Sequence, residues 1–462
     1  MNMNKFINRD SELKTLEKLY KSDSGNGNLV ILYGRRRLGK TALIKEFIRN
    51  KKSAYYMADR AAEKAQMSSF LLSLAESISE PTLASASYSS WYEIFAAFDR
   101  LRPKEERFVL VIDEYQYLCQ TQPAFSSFVQ KWWDEHWQNQ NMILILCGSV
   151  TSMMHRETLS ASAPLYGRAS ASILLKPLQF SFLNEFFTRS QETVELVEFY
   201  SLCGGVPRYI NLVRNYENHI KALEELVLSP DGILYSEAKN ILRDEISVPN
   251  VCWSILNAIA SGSTRISELG SRLSLPANQL TRYVELLMDL QLVRRTVPVL
   301  ESNPQKSKKG VYSVCDPFFR LWFGTIYPYE SFLEMGNSKL VLQRIRERLI
   351  NHVANCYEDI CTESIMSGIG DFGCLKVGRQ WGGDYEIDIA GVDEQGRLAL
   401  VGECKWTGQK IGTSLLNELK EKVVGNSLPV SENCKYLFFS KSGFSDDLIK
   451  QSKHEEKIVL RS

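Results

Sequence analysis

The sequence has few of the residues from which structural metal sites are built. Its 462 residues include five histidines and ten cysteines, and no two cysteines form a CxxC pair. A thiolate zinc site needs closely spaced pairs, so a structural metal is not expected. The cysteines are instead predicted to be reduced and mostly buried.

Long apolar runs and an excess of one charge are also missing. No apolar run approaches the roughly 18 residues that a bilayer requires, and residues 1–5 show no signal-peptide core. The 55 lysines and arginines balance 54 acids, for a net charge of +1. This excludes a generally basic protein that coats nucleic acid, although local basic patches are compatible with it. We therefore expect a soluble, cytoplasmic protein without a membrane partner.

What is present is an ordinary globular composition, 44% hydrophobic and 24% charged, over a length that predicts about three domains. Through the first half, short apolar runs alternate with amphipathic helical stretches, which is typical of an α/β domain with a parallel sheet. The runs 29–33, 108–112 and 142–146 are apolar throughout and suit strands buried on both faces. We predict an α/β core over residues 1–178 and a helix-rich segment over residues 179–246.

The pattern changes after residue 246. Three helical segments, 252–260, 267–273 and 276–290, precede two strand segments, 293–299 and 310–314, and this order predicts a winged helix-turn-helix over residues 247–325. Polar groups of the third helix could face a DNA major groove and lysines between the strands could contact phosphates, or the module could serve packing or dimerisation. These candidates are Asn278, Gln279, Thr281, Arg282, Lys306, Lys308 and Lys309. A linker over residues 326–346 and a final unit over residues 347–462 complete the predicted order.

A phosphate-binding pattern follows the first apolar run and precedes a helix. It matches GxxxxGK[ST], in which glycines let backbone N–H groups surround phosphate oxygens at a helix N-terminus. The predicted ATP-binding residues are Gly34, Arg35, Arg36, Arg37, Leu38, Gly39, Lys40, Thr41 and Ala42. Lys40 is expected to reach the β and γ phosphates and the Thr41 hydroxyl to bind Mg²⁺. The alternative is a chance match in a strand, turn and helix.

Acidic and polar residues at the ends of later strands complete the predicted nucleotide site. The run 108–112 ends in Asp113, a predicted Mg²⁺ ligand, and Glu114, a predicted general base for hydrolysis. Ser149 follows the next apolar run and could sense the γ-phosphate or simply form a turn. Arg168 could stabilise transition-state charge, within the chain or from a neighbouring subunit, or be a solvated surface residue.

Several motifs in this order resemble those of the archaeal-type ATPases, in the AAA+/STAND branch of P-loop NTPases. They are the segments 8–13 (NRDSEL), 34–41 (GRRRLGKT), 113–116 (DEYQ), 147–149 (CGS) and 204–209 (GGVPRY). The resemblance implies an α/β fold: a P-loop NTPase core with a parallel sheet, and a helical lid over residues 179–246. A winged helix-turn-helix and an α/β restriction-endonuclease-like domain are then implied. It also implies that residues 204–207 lie in the lid near the nucleotide, although a helix-ending turn would explain them as well.

Acidic residues near the C-terminus lie on two predicted strands joined by a turn. Glu386 and Asp388 are predicted to share one face, and Glu403 and Lys405 likewise share one, because side chains alternate along a strand. Ile387 and Ile389 are predicted to share the face opposite to Glu386 and Asp388. Carboxylates of this kind bind Mg²⁺ or Mn²⁺, and a lysine can orient water.

This arrangement resembles the PD-(D/E)XK nuclease core. The resemblance makes Asp388 the first acid, Glu403 and Lys405 the ends of the ExK element, and Glu358 an additional acid. Glu358, Asp388 and Glu403 are then the expected metal ligands. The alternatives are a solvated hairpin face or a nuclease fold without activity.

The combined prediction is an ATP-hydrolysing regulator of a metal-dependent, nuclease-like domain that acts on or binds DNA. One alternative is a DNA-binding ATPase whose nuclease fold is inactive. Another is a signalling or scaffolding ATPase that binds protein partners. Homo-oligomer formation is compatible with all three.

Overall fold

The computed structural model describes residues 6–22, 25–149, 151–246 and 248–462. The chain divides into two compact units. The first comprises Met1–Leu178, Val206–Arg208 and Asn240–Pro249, and the second comprises Gln179–Gly205, Tyr209–Lys239 and Asn250–Ser462. The N-terminal residues 1–5, for which no signal-peptide core is predicted, lie outside the described ranges.

The first unit contains a parallel sheet. Its strands are β1 (Asn28–Tyr33), β2 (Ser53–Met57), β3 (Phe108–Asp113), β4 (Met142–Gly148) and β5 (Ala169–Leu174). They lie in the order β2-β3-β4-β1-β5, and all four neighbouring pairs are parallel. Every residue of β3 and β4 is buried. The predicted α/β core with a parallel sheet is therefore confirmed.

Helices pack on both faces of this sheet. They are α1 (Asp10–Tyr20), α2 (Lys40–Ile48), α3 (Glu63–Ile78), α4 (Pro81–Ser85), α5 (Trp91–Leu101), α6 (Gln116–Thr121), α7 (Phe125–Glu135) and α8 (Thr151–Met154). Aromatic side chains dominate the core on one face, where the rings of Trp91 and Phe125 meet edge to face with centroids 4.8 Å apart. This packing fixes the strand ends from which the predicted site residues project.

The helix-rich middle of the chain contributes to both units. It contains α9 (Thr193–Cys203), α10 (Pro207–Val213), α11 (His219–Leu223) and α12 (Glu237–Glu245). Residues 206–208 and 240–249 group with the first unit and the rest of the predicted lid with the second. Short 3₁₀ or π-helical turns lie at Trp137–Asn139, His155–Leu159, Phe180–Phe186, Glu224–Leu228, Trp322–Ile326, Tyr327–Tyr329 and Ile369–Phe372.

Three helices and an antiparallel strand pair follow, in the order predicted for a winged helix. They are α13 (Pro249–Ala260), α14 (Ile266–Leu273), α15 (Ala277–Asp289), β6 (Val293–Thr296) and β7 (Val311–Val314). The strand pair is shorter than predicted because residues 297–300 turn toward the C-terminal part of the second unit. There the Val299 N–H donates to Arg379 O at 2.9 Å, and the Leu300 N–H donates to Gln380 Oε1 at 3.1 Å.

The C-terminal part is a mixed sheet with helices on both faces. Its elements are α16 (Pro317–Leu321), α17 (Glu330–Glu334), α18 (Ser338–Ser367), β8 (Lys376–Trp381), β9 (Glu386–Val392), β10 (Leu398–Lys405), α19 (Thr413–Gly425), β11 (Val430–Ser440), α20 (Asp446–His454) and β12 (Ile458–Arg461). The strand order is β12-β11-β10-β9-β8, in which β8, β9 and β10 are antiparallel and β10, β11 and β12 are parallel. One apolar core includes residues of α19 and the other includes residues of α18.

The predicted linker over residues 326–346 contains helices instead. It includes α17 and the first turns of α18, which continues without a break past residue 347. Val341, Ile345 and Leu349 are buried at a four-residue spacing along α18. Many of the residues between them are charged or polar. The apolar stripe is therefore narrow, and the sequence pattern predicted a linker instead of a helix.

The ten cysteines lie within the described ranges, and none of them forms a disulfide. All but Cys315 are buried, as predicted. In the part of the chain that the structure covers, no helix combines the length and hydropathy needed to cross a membrane.

His352 on α18 makes the stability of the second unit depend on pH. Its Nε2 lies 2.8 Å from Ser201 O, and burial, reinforced by the positive charge of Arg320, lowers the pKa of the ring to about 3. Between this value and the ordinary value near 6.5, the unfolded chain takes up a proton that the folded chain does not. We expect this residue to cost about 2 kcal/mol of unfolding free energy at pH 5 relative to pH 7.5.

Urea unfolding of His352→Gln at the two pH values checks this prediction. Glutamine keeps an N–H donor for the Ser201 carbonyl but does not titrate, so the variant should lose less stability on acidification than the parent. His454→Gln, at an exposed position, is the control and should behave as the parent does. Equal losses in the parent and in His352→Gln would contradict the assignment.

Candidate functional site

The loop between β1 and α2 depends on two glycines. Gly34 has φ 144° and Gly39 has φ 90°, conformations that other residues rarely adopt. A β-carbon on Gly34 would also lie 2.6 Å from Leu175 O, so only glycine lets the loop pass at this point. The loop therefore has the tight turn that the phosphate-binding pattern predicts.

Lys40 closes this loop from the first turn of α2. Its side chain is buried, and its Nζ donates to Gly34 O at 2.7 Å and to Arg35 O at 3.1 Å. A buried ammonium group is thereby held against the loop backbone. This is the position from which the predicted contact with phosphate oxygens can be made.

The Asp113 carboxylate lies next to Thr41 at the end of β3. Thr41 Oγ1 donates to Asp113 Oδ2 at 2.8 Å, and the Glu114 N–H donates to Oδ1 at 2.9 Å. Tyr55 of β2 also donates to Oδ2, at 2.7 Å, and burial together with the Asp113 charge raises the pKa of this phenol above its ordinary value. The two predicted Mg²⁺ ligands are thus adjacent, and Tyr55 is a contributor that nothing in the β2 sequence signals.

Glu114 turns the chain at the end of β3 and faces polar partners. Its φ of 53° is unusual for a residue with a side chain. The carboxylate accepts from Ser149 Oγ at 2.7 Å and from the Gln116 side-chain amide. Ser149 is fully buried. The structure therefore joins the predicted general base to the predicted γ-phosphate sensor and adds Gln116 between them.

Residues at the end of α12 also contact the loop. The Arg36 guanidinium pairs with Asp244 and donates to the Tyr117 hydroxyl. The Arg36 backbone N–H donates to Glu245 Oε1 at 3.2 Å. Burial raises the pKa of Glu245 to about 7, against the opposing effect of Lys40, Arg36 and Arg35. In the sequence, these acids look like any solvated helix end.

Part of the segment 204–207, which the resemblance places near the nucleotide, belongs to the first unit. This unit includes residues 206–208, and Pro207 Cγ lies 4.0 Å from the position that a β-carbon on Gly39 would take. Residues 204 and 205 group with the second unit, and the expectation that the segment 204–207 lies near the nucleotide stays a prediction.

Arg168 is not directed at this loop. Its guanidinium donates to both carboxylate oxygens of Asp134 on α7, with each distance at 2.7 Å, and a third bond of 3.0 Å joins it to Pro164 O. A bidentate ion pair of this kind holds the side chain in one geometry. The structure therefore gives Arg168 a local partner, and its predicted role at the transition state stays a prediction.

In the second unit, Asp388 lies where two strands separate. The pairing of β9 with β8 shifts between Gly378 and Gln380, and the ladder between β9 and β10 ends at the pair of Ile389 and Gly402. Beyond it, the Cys404 N–H donates to Asp388 Oδ2 at 3.0 Å, and Lys405 Nζ is 3.7 Å from the same oxygen. The carboxylate thus takes the place of a β9 partner for Cys404, which pairs with Phe439 of β11 on its other side.

The extra residue in β9 overturns the predicted alternation. Ile387 packs in the core that includes α19, whereas Ile389 packs in the core that includes α18. In a β-bulge, two residues of one strand lie opposite one residue of its partner. The side chains of Ile387 and Ile389 therefore point to opposite faces of the sheet, and the direction of the Asp388 side chain changes as well. The expectation that Ile387 and Ile389 share a face is therefore wrong.

The remaining predicted acids have cationic partners. Glu403 accepts from Lys405 at 2.6 Å and from Lys422 of α19 at 2.7 Å. Burial works to raise the pKa of Glu403, but these two lysines outweigh it and lower the pKa below its ordinary value. Burial and the nearby Asp388 charge raise the pKa of Glu358 to about 7. Arg379 pairs with Glu358 at 3.1 Å and with Glu386 at 2.9 Å.

A cavity of about 540 Å³ contains part of this group. Glu358, Asp388 and Arg379 line it, together with the backbone segment 297–299. Among the described residues, no three histidine, cysteine or acidic side chains are grouped closely enough to hold a metal ion. The predicted set of Glu358, Asp388 and Glu403 does not form such a group, and Glu403 contacts two lysines instead.

Two parts of the chain match known protein families. Residues 6–213 match a family described as an ATPase domain predominantly from Archaea, and residues 322–420 match one described as archaeal and bacterial proteins of unknown function. An uncharacterized protein of Methanocaldococcus jannaschii is 30% identical over 464 residues, which cover 95% of this chain and 100% of that protein.

Two further proteins are similar to parts of the chain. An uncharacterized ATP-binding protein of the same organism is 57% identical over 47 residues, 10% of this chain and 76% of that protein. A Walker-type ATPase of Pyrococcus abyssi aligns with a TM-score of 0.52 at 21% identity, covering 69% of this chain and 96% of that one. At this identity, the structural likeness shows the fold alone.

Proposed function

The chain belongs to the archaeal P-loop ATPase family, and from that premise we propose that its first unit binds ATP with Mg²⁺ and hydrolyses it. The observation that carries the proposal is the 2.8 Å hydrogen bond between Thr41 Oγ1 and Asp113 Oδ2, beside the glycine loop that holds Lys40. The proposed Mg²⁺ ligands Thr41 and Asp113 thus lie near the proposed phosphate-binding Lys40, and Asp113 is followed in the chain by the acid Glu114.

The donor atoms suit Mg²⁺, because hydroxyl and carboxylate oxygens are the ligands that this ion prefers. Thr41 and Asp113 would hold the ion, and Tyr55 would orient the carboxylate through its bond to Oδ2. When bound, Mg²⁺ neutralises charge on the β and γ phosphates. The proposal requires that phosphate release from ATP by the purified chain depends on Mg²⁺.

Glu114 is proposed as the general base. A base must accept a proton from water within hydrogen-bond reach of the phosphate, and its carboxylate needs a fixed orientation. Ser149 Oγ and the Gln116 amide supply that orientation through their bonds to Oε2. Both are positioning residues. The loss of the Ser149 hydroxyl would be expected to change turnover more than ATP affinity.

A second function is proposed for the C-terminal part: a nuclease-like domain that the ATPase unit regulates. Asp388 lies near the N-terminal end of β9, and Glu403 and Lys405 lie at the C-terminal end of the antiparallel β10. Lys405 is 3.7 Å from Asp388 and 2.6 Å from Glu403. These contacts favour a phosphodiester site. Because the predicted metal ligands are not assembled, no catalytic step is assigned to an ion there.

DNA binding is proposed for the three-helix module, on the basis of exposed polar groups. Asn278, Gln279, Thr281 and Arg282 are all exposed on α15. The loop that carries Lys306, Lys308 and Lys309 is ordered by Arg295, whose guanidinium donates to Pro304 O at 2.7 Å and to Ser307 O at 2.6 Å. An ordered loop can present lysines to phosphates at little entropic cost.

Asp388→Asn tests the nuclease proposal. Asparagine keeps an oxygen acceptor for the Cys404 N–H but removes the negative charge that lies 3.7 Å from Lys405 Nζ, so cleavage should fall at least about 10²-fold while ATP turnover is retained. The measurement is Mg²⁺- or Mn²⁺-dependent cleavage of DNA and RNA, with and without ATP. Asp447→Asn, at an exposed position on α20, should cleave as the parent does.

The same assay separates the alternatives. DNA binding without cleavage, by parent and variant alike, favours a regulator with an inactive nuclease fold. The absence of nucleic-acid affinity even at low salt favours a scaffolding ATPase that binds protein. An effect of ATP on cleavage or on binding is required for the proposed regulation.

A further inference from the structure

The last residue of α12 places a carboxylate on the phosphate loop. Glu245 Oε1 accepts from the Arg36 backbone N–H at 3.2 Å. Backbone N–H groups of such a loop are the donors that receive anionic oxygens of a nucleotide. A carboxylate oxygen at one of these donors has the charge and the hydrogen-bonding chemistry of a phosphate oxygen.

The surroundings of this carboxylate are those of an anion site. Glu245 is 2% exposed, and the charges that act on it are those of the loop residues Arg35, Arg36 and Lys40. Its second oxygen, Oε2, is buried and has no hydrogen-bond partner among the described residues. A buried oxygen without a partner costs stability, so packing alone does not explain why an acid occupies this position.

A neighbouring ion pair holds the carboxylate in place. Asp244, one residue earlier, pairs with the guanidinium of the same Arg36 whose backbone N–H contacts Glu245. Arg60 lies 3.8 Å from the other Asp244 oxygen. The end of α12 is therefore attached to the loop through both the side chain and the backbone of one residue.

We propose that Glu245 is an internal competitor of the nucleotide, whose carboxylate occupies an anion position of the phosphate loop until a nucleotide phosphate displaces it. The inference rests on the proposed nucleotide site and deepens it. It makes Glu245 a determinant of ATP affinity, because each binding event must move a like charge away from the incoming phosphates. Displacement of the carboxylate would also break one of the two attachments between the end of α12 and the loop, and the ion pair of Arg36 with Asp244 would remain.

The competition should depend on pH. The pKa of about 7 for Glu245 means that the carboxyl is mostly neutral below pH 7 and mostly charged above it. A neutral carboxyl competes less, so ATP affinity should be higher at pH 6.5 and should fall as the pH rises to 8.0. The fall in affinity that is due to Glu245 should be absent in Glu245→Gln. Any pH dependence that this variant keeps comes from other groups, such as the phosphates of ATP.

The experiment is calorimetric titration of the full chain with MgATP at pH 6.5 and 8.0. We expect Glu245→Gln to bind ATP about tenfold more tightly than the parent at pH 8.0, and by a smaller factor at pH 6.5. Glu76→Gln, the same substitution at an exposed position on α3, should match the parent. Glu245→Asp, whose shorter side chain withdraws from the Arg36 N–H, should also bind more tightly and serves if the glutamine variant does not fold.

The outcomes separate this inference from the function on which it depends. If the parent binds ATP, Lys40→Ala weakens binding and both Glu245 variants bind as the parent does or more weakly, the competitor role is overturned and the nucleotide site stands. If the parent binds no ATP at either pH, the nucleotide site itself is refuted. Tighter binding by both Glu245 variants, with a reduced pH dependence in the glutamine variant, supports the inference.

Discussion

Replacing Lys40 by alanine is expected to lower ATP turnover by about 10²- to 10³-fold and to weaken ATP binding as well. The size follows from the loss of one preorganised donor to developing phosphate charge. The ammonium group lies within the glycine loop, 2.7 Å from Gly34 O and 3.1 Å from Arg35 O. Lys40 belongs to α2, so its replacement removes a cation from the loop without changing a residue of β1 or β3.

Phosphate release and nucleotide titration, measured on the same preparation, check this result. Lys52→Ala removes an exposed lysine of the same unit and should keep parental turnover and affinity. Parental turnover by Lys40→Ala would show that phosphate is bound elsewhere.

Replacing Glu114 by glutamine should separate binding from chemistry. Glutamine has nearly the same shape and can still accept from Ser149 Oγ, which lies 2.7 Å from the carboxylate, but it does not take up a proton from water. General-base catalysis typically contributes 10²- to 10⁴-fold, so we expect turnover to fall by about 10²- to 10³-fold while ATP affinity stays within about twofold of the parent.

A single-turnover assay with bound ATP distinguishes this variant from Lys40→Ala, which loses both properties. Glu76→Gln serves again as the exposed control. If Glu114→Gln hydrolyses ATP at the parental rate, the base is another residue. If it fails to bind ATP, Glu114 is part of the binding site and not only of the chemistry.

Local signals explain how much of the ATPase unit could be predicted from the sequence. A strand buried on both faces must be apolar throughout, so β1, β3 and β4 appear as short apolar runs. The loop needs glycine at positions 34 and 39, where φ is 144° and 90°. These constraints act within a few residues, and a single sequence is enough to display them.

The contacts that were missed connect distant parts of the chain. Glu245 and Arg36 are 209 residues apart, and Tyr55 and Asp113 are 58 apart. Nothing near Glu245 distinguishes it from a solvated acid at a helix end, because its burial arises from tertiary packing. Only the folded chain reveals that the loop has an anionic neighbour.

The C-terminal strands show a different limit. Alternation along β9 predicted a shared face for Ile387 and Ile389, and one extra residue placed them in separate cores. A bulge changes the register without changing the pattern of residue types. The sequence singled out Glu403 and Lys405, but nothing in it signals the bond between Glu403 and Lys422 of α19.

The segment after β6 has a consequence for solubility. Strand β8 lies at the edge of the C-terminal sheet, and an uncovered edge is a template for self-association with another chain. The Val299 N–H covers part of this edge by bonding to Arg379 O, and the Val299 side chain joins the core beneath. Shortening the segment 297–300 would leave this part of β8 uncovered, so we expect such a variant to aggregate. The aggregation would then result from the exposed strand edge and not from the loss of a DNA contact.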